Sequence, residues 1–345
     1  MSVILFDEVC FFDSVNNKTI MYGHFQNIFE KIEIDNIDFN IVFCKERKKG
    51  DIYYVKNWTS DFYIEIEGTI TSIPKIRFIY KDKEIVKTNI TLQFPFENCD
   101  LSLDSDSAII STISKDYSSR LEEWIDYNLN LGFSGIVIFN NDMNQENTIN
   151  EKQDRSVHNG STSDICQKKK YKGKVWEVKM NYSPIKGTHW NNIQRITLHI
   201  GVNAFRNKCS KIALIDADEF IYLPNHSNIL DFLKKYKGRT ITMRSNILTN
   251  KANNDIIDNN ILDLCMYVGE DRYLKILIDT SFLMPMEFII GPHHQTWSKL
   301  LDKDEIIHYH CWVNSRYKYN EEMPKIEFLK KMKQEYTLKN KKLNK

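Results

Sequence analysis

Two regimes of hydrophobic and polar spacing run along the chain. Up to about residue 100, short β-prone runs alternate with polar turns: Asp38–Phe43, Asp51–Val55, Phe62–Ile66, Lys75–Tyr80 and Asn89–Phe94. Their spacing of roughly 10–12 residues, with no helical stripe longer than three turns, predicts a small antiparallel β-sandwich. The acidic, polar segment Phe96–Ser107 marks a domain boundary, and the pattern changes from Ala108.

The second regime opens on a buried-type strand, Ala108–Ser114. A helix over Arg120–Gly132 follows, with Leu121, Trp124, Ile125, Asn128 and Leu131 at helical spacing and Gly132 as its stop. Gly135–Asp142 is the next apolar strand. Such a β-α-β unit builds a parallel sheet covered by helices. Residues 143–170 are polar and nearly devoid of core formers, which predicts an exposed loop. Lys174–Met180 reads as a third strand and Thr188–Asn207 as a long helix. Lys211–Leu223 reads as a strand that runs into acids, and Thr240–Ser245, Ser281–Phe288 and Glu305–Trp312 as later strands. The expected architecture is therefore α/β: a sandwich over 1–100, a Rossmann-like mixed sheet with helices on both faces over 108–323, and a Lys-rich tail over 324–345.

Composition narrows the class. At 345 residues with 42% hydrophobic and 27% charged side chains, the chain can bury a real core and is neither tail-like nor collagen-like. The 47 basic and 46 acidic residues leave a net charge of +1, without the basic excess of a general nucleic-acid binder. Seven cysteines (Cys10, Cys44, Cys99, Cys166, Cys209, Cys265 and Cys311), an odd number with no C-x-x-C, argue against a disulfide framework or a structural zinc site. A reducing compartment fits them best. The N-terminal apolar run is short, acidic and without a basic leader, and no stretch approaches 18 uninterrupted apolar residues. A cytoplasmic protein is expected. Its Lys-rich tail is a solvated segment, or a peripheral contact with an anionic membrane surface.

The chemistry centres on Asp216-Ala217-Asp218-Glu219, directly after the apolar run Ile212–Ile215. In a continuous strand, Asp216 and Asp218 would share one face. Two carboxylates so placed repel unless a cation lies between them, and Mg²⁺ or Mn²⁺ with oxygen ligands resolves that. A metal-dependent phosphohydrolase or nuclease is one alternative, which would need further carboxylates or histidines clustered at other strand ends; a non-catalytic carbohydrate-binding or scaffolding protein is another, against which the intact Asp216-x-Asp218 argues.

The block ISKDYSSRLEEWIDYNLNLGFSGIVIFNND, then a long helix, then KIALIDADEFIYL, resembles glycosyltransferases of the GT-A fold. It looks most like family 92 and its family-2-like relatives. The residues that carry the likeness are Lys115, Leu121, Glu123, Trp124, Gly132, Phe139, Asn140, Asn141, Asp216, Asp218, Glu219 and Phe220, and it covers about residues 108–320. The polar insertion at 143–170 departs from the tighter family spacing. The resemblance implies a nucleotide-sugar donor, with UDP-sugar favoured, a glycan acceptor, and an inverting transfer with Mn²⁺ or Mg²⁺ as cofactor. The donor would lie over Ser114, Lys115, Asp116, Asn140, Asn141 and Asp142. Asp216 would contact the ribose, or the metal through water, and Asp218 would bind the metal. On the polar helix face, His189, Gln194 and Arg195 would touch the sugar or phosphates, and Lys275 the diphosphate. The resemblance also implies a late histidine ligand. Two late pairs offer one, His293-His294 and His308-x-His310, with His308 favoured and His310 second. For the general base the candidates are Glu219, Asp279 and Glu287. In a continuous strand Glu219 would point away from Asp218.

Overall fold

In the computed structural model of the chain, the described residues are 107–114, 118–142, 161–179, 208–249, 267–268, 273–282 and 298–311, with helical positions 194, 197, 198, 201, 202 and 205. To these are added seven strands between residues 11 and 87. The sequence expectations at Asp51–Val55, Asn89–Phe94, Lys115, Asp116, His189, Arg195, Glu287, His293, His294 and the tail 324–345 lie outside the described residues.

The N-terminal strands form two antiparallel sheets. One has the order β1 (Phe11–Val15), β2 (Lys18–Phe25), β5 (Thr59–Glu67), β4 (Phe39–Arg47), and the other β3 (Lys31–Ile34), β6 (Ile76–Tyr80), β7 (Lys83–Lys87). Three of the five runs expected from the sequence are β4, β5 and β6.

The larger sheet is mixed and curled. Its main path is β10 (Val175–Lys179), β9 (Gly135–Asn140), β8 (Ala108–Ser114), β11 (Lys211–Leu214), β15 (Lys275–Asp279), β13 (Ile241–Thr249), β17 (Ile307–Cys311) and β12 (Glu219–Tyr222). The two-residue strands β14 (Tyr267–Val268) and β16 (Lys299–Leu300) pair with β13. β10, β9, β8 and β11 run parallel, and β15 enters antiparallel between β11 and β13. Every residue of β8, β9, β11 and β15 is buried. Strands covered on both faces must be apolar throughout, which is why these segments read as continuous hydrophobic runs.

One face is covered by α1 (Ser118–Leu131), whose Leu121, Trp124 and Ile125 are fully buried in one cluster with Ala108, Ile110, Ile136 and Ile138. Burial of Leu121 and Ile125 contributes roughly 1.5–3 kcal/mol each. Gly132 ends the helix at φ 105°, the left-handed region, with the Phe133 amide donating to the Asn128 carbonyl at 3.2 Å. On the other face sit the helical positions Gln194, Thr197, Leu198, Gly201, Val202 and Phe205, which share one helical stripe and from Thr197 onward are all buried. Gly201 lies so close to β8 that an added Cβ would stand 2.3 Å from Ser111 Oγ.

The segment read as a loop over 143–170 contains structure in its second half. α2 (Thr162–Cys166) is started by a capping box between Ser161 and Asp164, and a 3₁₀ turn covers Lys169–Tyr171. The run Lys211–Leu223 is two strands, β11 and β12, broken at the acids. Thr280–Phe282 is a 3₁₀ turn, so the start of the expected strand Ser281–Phe288 is not extended, and the rest lies outside the described residues. α3 (Ile229–Lys234) caps on Asn228, whose side chain accepts from the Leu230 amide.

Candidate active site

Asp216, Ala217, Asp218 and Glu219 form a tight turn at the carboxyl end of β11. The Glu219 amide donates to the Asp216 carbonyl at 3.0 Å, and the Asp216 amide donates to Glu219 Oε2 at 2.9 Å. Aspartate at the first position favours such a turn, and the glutamate at the fourth satisfies the amide left over. Because the chain turns here, the face-sharing expected of a strand does not apply. Asp216 and Asp218 go to different partners, and Glu219 faces the same cluster rather than away from it.

Asp216 accepts from Gln194 Nε2 on Oδ1 at 2.5 Å and from Lys275 Nζ on Oδ2 at 2.6 Å. Lys275 also stands 3.1 Å from Glu219 Oε2, and it and Glu219 are 0% and 1% exposed. Burial opposes the charge on Lys275, but the two carboxylates more than offset this and hold it protonated. Burial pushes Glu219 up to about 7: the single ammonium is nearer to Asp216 and only partly offsets the desolvation. Lys275, expected at the diphosphate, thus meets these two acids of the turn.

β17 brings the late histidines in from the other side, pairing with β12 so that His310 lies opposite Glu219 and His308 opposite Ile221. His310 Nε2 is 3.2 Å from Asp218 Oδ2. Burial disfavours its charge, yet Asp218 and Glu219 together raise it to about 9. His308 is 0% exposed, 3.8 Å from Glu219 Oε1, and kept neutral by burial and by the charge of Lys275. The histidine beside the turn's second aspartate is thus His310, and His308 packs beneath.

The expected ligand set of Asp216, Asp218 and His308 does not converge, and among the described residues no group of three or more His, Cys, Asp or Glu side chains is placed to hold a metal. Asp218 and His310 do converge, with side chains 29% and 10% exposed.

The polar residues at the ends of β8 and β9 engage one another. Ser114 Oγ meets Thr162 Oγ1 at 3.2 Å, and the Asn141 amide donates to the Ser114 carbonyl at 2.8 Å. Asn140 Nδ2 donates to Glu177 Oε1 at 2.6 Å, and Asp142 Oδ2 accepts from the Thr162 amide at 2.8 Å. These residues seat α2 against the carboxyl end of the sheet. Asp279 sits at the opposite end of β15 from Lys275, opposite Lys211 in register, and pairs with its ammonium at 2.5 Å. That distant, buried ion pair corrects the reading of Asp279 as a base. Glu219, buried and turned to Lys275, is likewise not presented to an acceptor.

Two side chains of α1 anchor the turn from across the fold. Trp124 Nε1 donates to the Glu219 carbonyl at 2.7 Å, and the Tyr127 hydroxyl to the Ile221 carbonyl at 2.5 Å. Tyr127 and Phe220 also meet edge to face at 5.1 Å. The helical spacing picks out Trp124 but not Tyr127, and neither partner, 95 and 94 residues away, is visible in the sequence. In comparisons with known proteins, no family model and no curated protein sequence matches the chain.

Proposed function

We propose that this protein is a metal-dependent glycosyltransferase of the GT-A type, moving a sugar from a nucleotide-sugar donor, UDP-linked by preference, to a glycan acceptor. The observation that carries the reading is the position of the acidic turn. Numbered from β10 inward, the parallel strands run third, second, first, fourth, so the strand order reverses between β8 and β11. Ligands of open α/β sheets bind outside the carboxyl ends of strands at such a reversal. Ser114 ends one of the two strands and Asp216 follows the other.

In this reading Asp218 and His310 hold Mn²⁺ or Mg²⁺, which when bound offsets the charge of the departing diphosphate. Binding requires His310 to give up its proton, since only neutral imidazole ligates. Gln194 and Lys275 fix the Asp216 carboxylate, and Trp124 and Tyr127 hold the backbone that carries Asp218. To the separate β module that the two antiparallel N-terminal sheets would form we assign the binding of the acceptor glycan.

Calorimetric titration with UDP, with and without Mn²⁺, tests this. Wild-type protein is expected to bind UDP only with Mn²⁺, and Asp218→Ala to lose that binding. No binding of UDP, GDP or CDP in the presence of Mn²⁺ would sink the reading.

A further inference from the structure

We propose that the amino end of the large sheet is a membrane-docking rim, a band of cations with one exposed leucine that seats on an anionic phospholipid surface. The rim lies at the opposite end of the strands from the acidic turn. Docking there stands whether or not that turn binds a nucleotide-sugar.

One row of register crosses the sheet and fixes which segments share this end. Val175 pairs with Ile136, Ile136 with Ile110, Ile110 with Ala213, Ala213 with Leu277, Leu277 with Ile241, and Ile241 with Lys299. β10, β11 and β13 all run away from this end, β13 because two successive antiparallel pairings restore the direction. Residues just before Val175 and just before Ile241 therefore lie beyond the same end. Those residues are Lys172 and Lys174 on one side and Lys237 and Arg239 on the other, all exposed. At a strand spacing of about 4.8 Å, the path from β10 to β13 separates the two groups by roughly 24 Å.

Both groups are held in place. Lys168 pairs with Glu122 at 2.5 Å, and Lys170 with Glu122 and Asp126 at 2.8 Å, which fixes to α1 the turn carrying Lys169, Lys172 and Lys174. The buried Lys211 ammonium donates to the carbonyls of Tyr236 and Arg239 at 3.0 and 2.7 Å, which ties the turn carrying Lys237 to the start of β11. Among the described residues no carboxylate pairs with Lys169, Lys172, Lys174, Lys237 or Arg239. Lys299 joins them, its ammonium 5.5 Å from the Tyr236 ring. Against these cations stand the exposed Asp302 and Asp304, so positive charge prevails.

The residues around the cations point to lipid. Leu300 follows Lys299, pairs with Thr242 in the next register, and is 43% exposed. The other exposed large hydrophobic among the described residues, Tyr273, precedes β15 and so lies at the far end of the sheet. An aliphatic side chain amid lysines suits the boundary between headgroups and acyl chains. Single-stranded nucleic acid would call for aromatic platforms, and among the described residues the rim exposes none. With the rim on the lipid, Asp142, Asp216 and Asp218 lie at the end away from its negative charge.

Sedimentation of the full chain with vesicles tests the rim. Wild type is expected to bind phosphatidylcholine vesicles that carry phosphatidylserine, to lose that binding at high salt, and to ignore phosphatidylcholine alone. Lys172→Gln/Lys174→Gln/Lys237→Gln is expected to weaken binding about 100-fold, at roughly fivefold per charge. Leu300→Ser is expected to weaken it about three- to tenfold. All four positions are exposed, so both variants are expected to unfold thermally as wild type does. No binding by wild type, or binding retained in the triple variant, would overturn the proposal, and the second result would move attachment to another surface such as the Lys-rich tail. Binding of single-stranded RNA tighter than that of vesicles, lost in the triple variant and indifferent to Leu300→Ser, would make the partner a nucleic acid and overturn the lipid assignment.

Discussion

Buried lysines hold both ends of the β11–β15 pair. Lys275 gathers the acidic turn at one end, and Lys211 pairs with Asp279 at the other, their side chains 3% and 5% exposed. Asp279→Asn would leave the Lys211 ammonium buried without its counter-charge and is expected to cost about 3–5 kcal/mol, measured by urea unfolding. Burial alone would raise the Asp279 carboxyl, but Lys211 and Ser281 outweigh it and hold the group below its ordinary value of 3.8. A depressed carboxylate stabilises the fold fully above that ordinary value and loses the contribution as pH falls through the depressed one. Acid titration of wild-type stability should therefore show a loss below about pH 4 that the Asn variant lacks. At this scale the sequence displayed the acid but not its partner. Asp279 is a candidate base only through the inverting transfer that the resemblance implies, and the antiparallel entry of β15 beside β11 sets it against Lys211.

Among the elements, α1 is the one whose sequence signal and structural role coincide most fully. Its apolar stripe and its stop at Gly132 were legible because helix periodicity and the left-handed turn are local properties. The helix does more than cover the sheet: Trp124 and Tyr127 donate to backbone carbonyls of β12, the strand that begins in the acidic turn. The helix block and the acidic block therefore form one mechanical unit. Trp124→Phe keeps the aromatic filling but leaves the Glu219 carbonyl without its indole donor. It is expected to cost about 1–3 kcal/mol by thermal unfolding. Tyr127→Phe, the parallel loss at Ile221, is expected to fall in the same range, and a loss well under this from both would show that the clamp is unimportant. α2 was missed because its polar, five-residue sequence has too few turns to show a period, and its start depends on Asp142 arriving from β9.

For the whole molecule, strand order decides where chemistry can happen. The parallel set β10-β9-β8-β11 reverses direction of winding at β8/β11, and the acidic turn lies at that reversal. Hydrogen exchange tests the placement without turnover. Addition of UDP and Mn²⁺ is expected to slow exchange at the backbone amides of Asn141, Asp142 and residues 216–219, and to leave those of Lys211 and Asp279 unchanged. Protection confined to the Lys211–Asp279 end would move the site to the other side of the sheet. Among the described residues no helix is long and apolar enough to cross a membrane.

By itself the sequence determined the elements whose signal is local: the continuous apolar strands, the amphipathic helices, the glycine stop and the acidic tetrapeptide as the centre of interest. Tertiary structure decided which groups meet there. A turn replaced the expected strand at Asp216–Glu219, because the Glu219 amide returns to the Asp216 carbonyl and the Asp216 amide to the Glu219 carboxylate there instead of pairing in a ladder. That one local change separates Asp216 from Asp218, brings His310 rather than His308 to the second aspartate, and draws Lys275 inward. Such pairings depend on strand order and register across some 60 to 90 residues of chain, and hydrophobic periodicity carries no information about either.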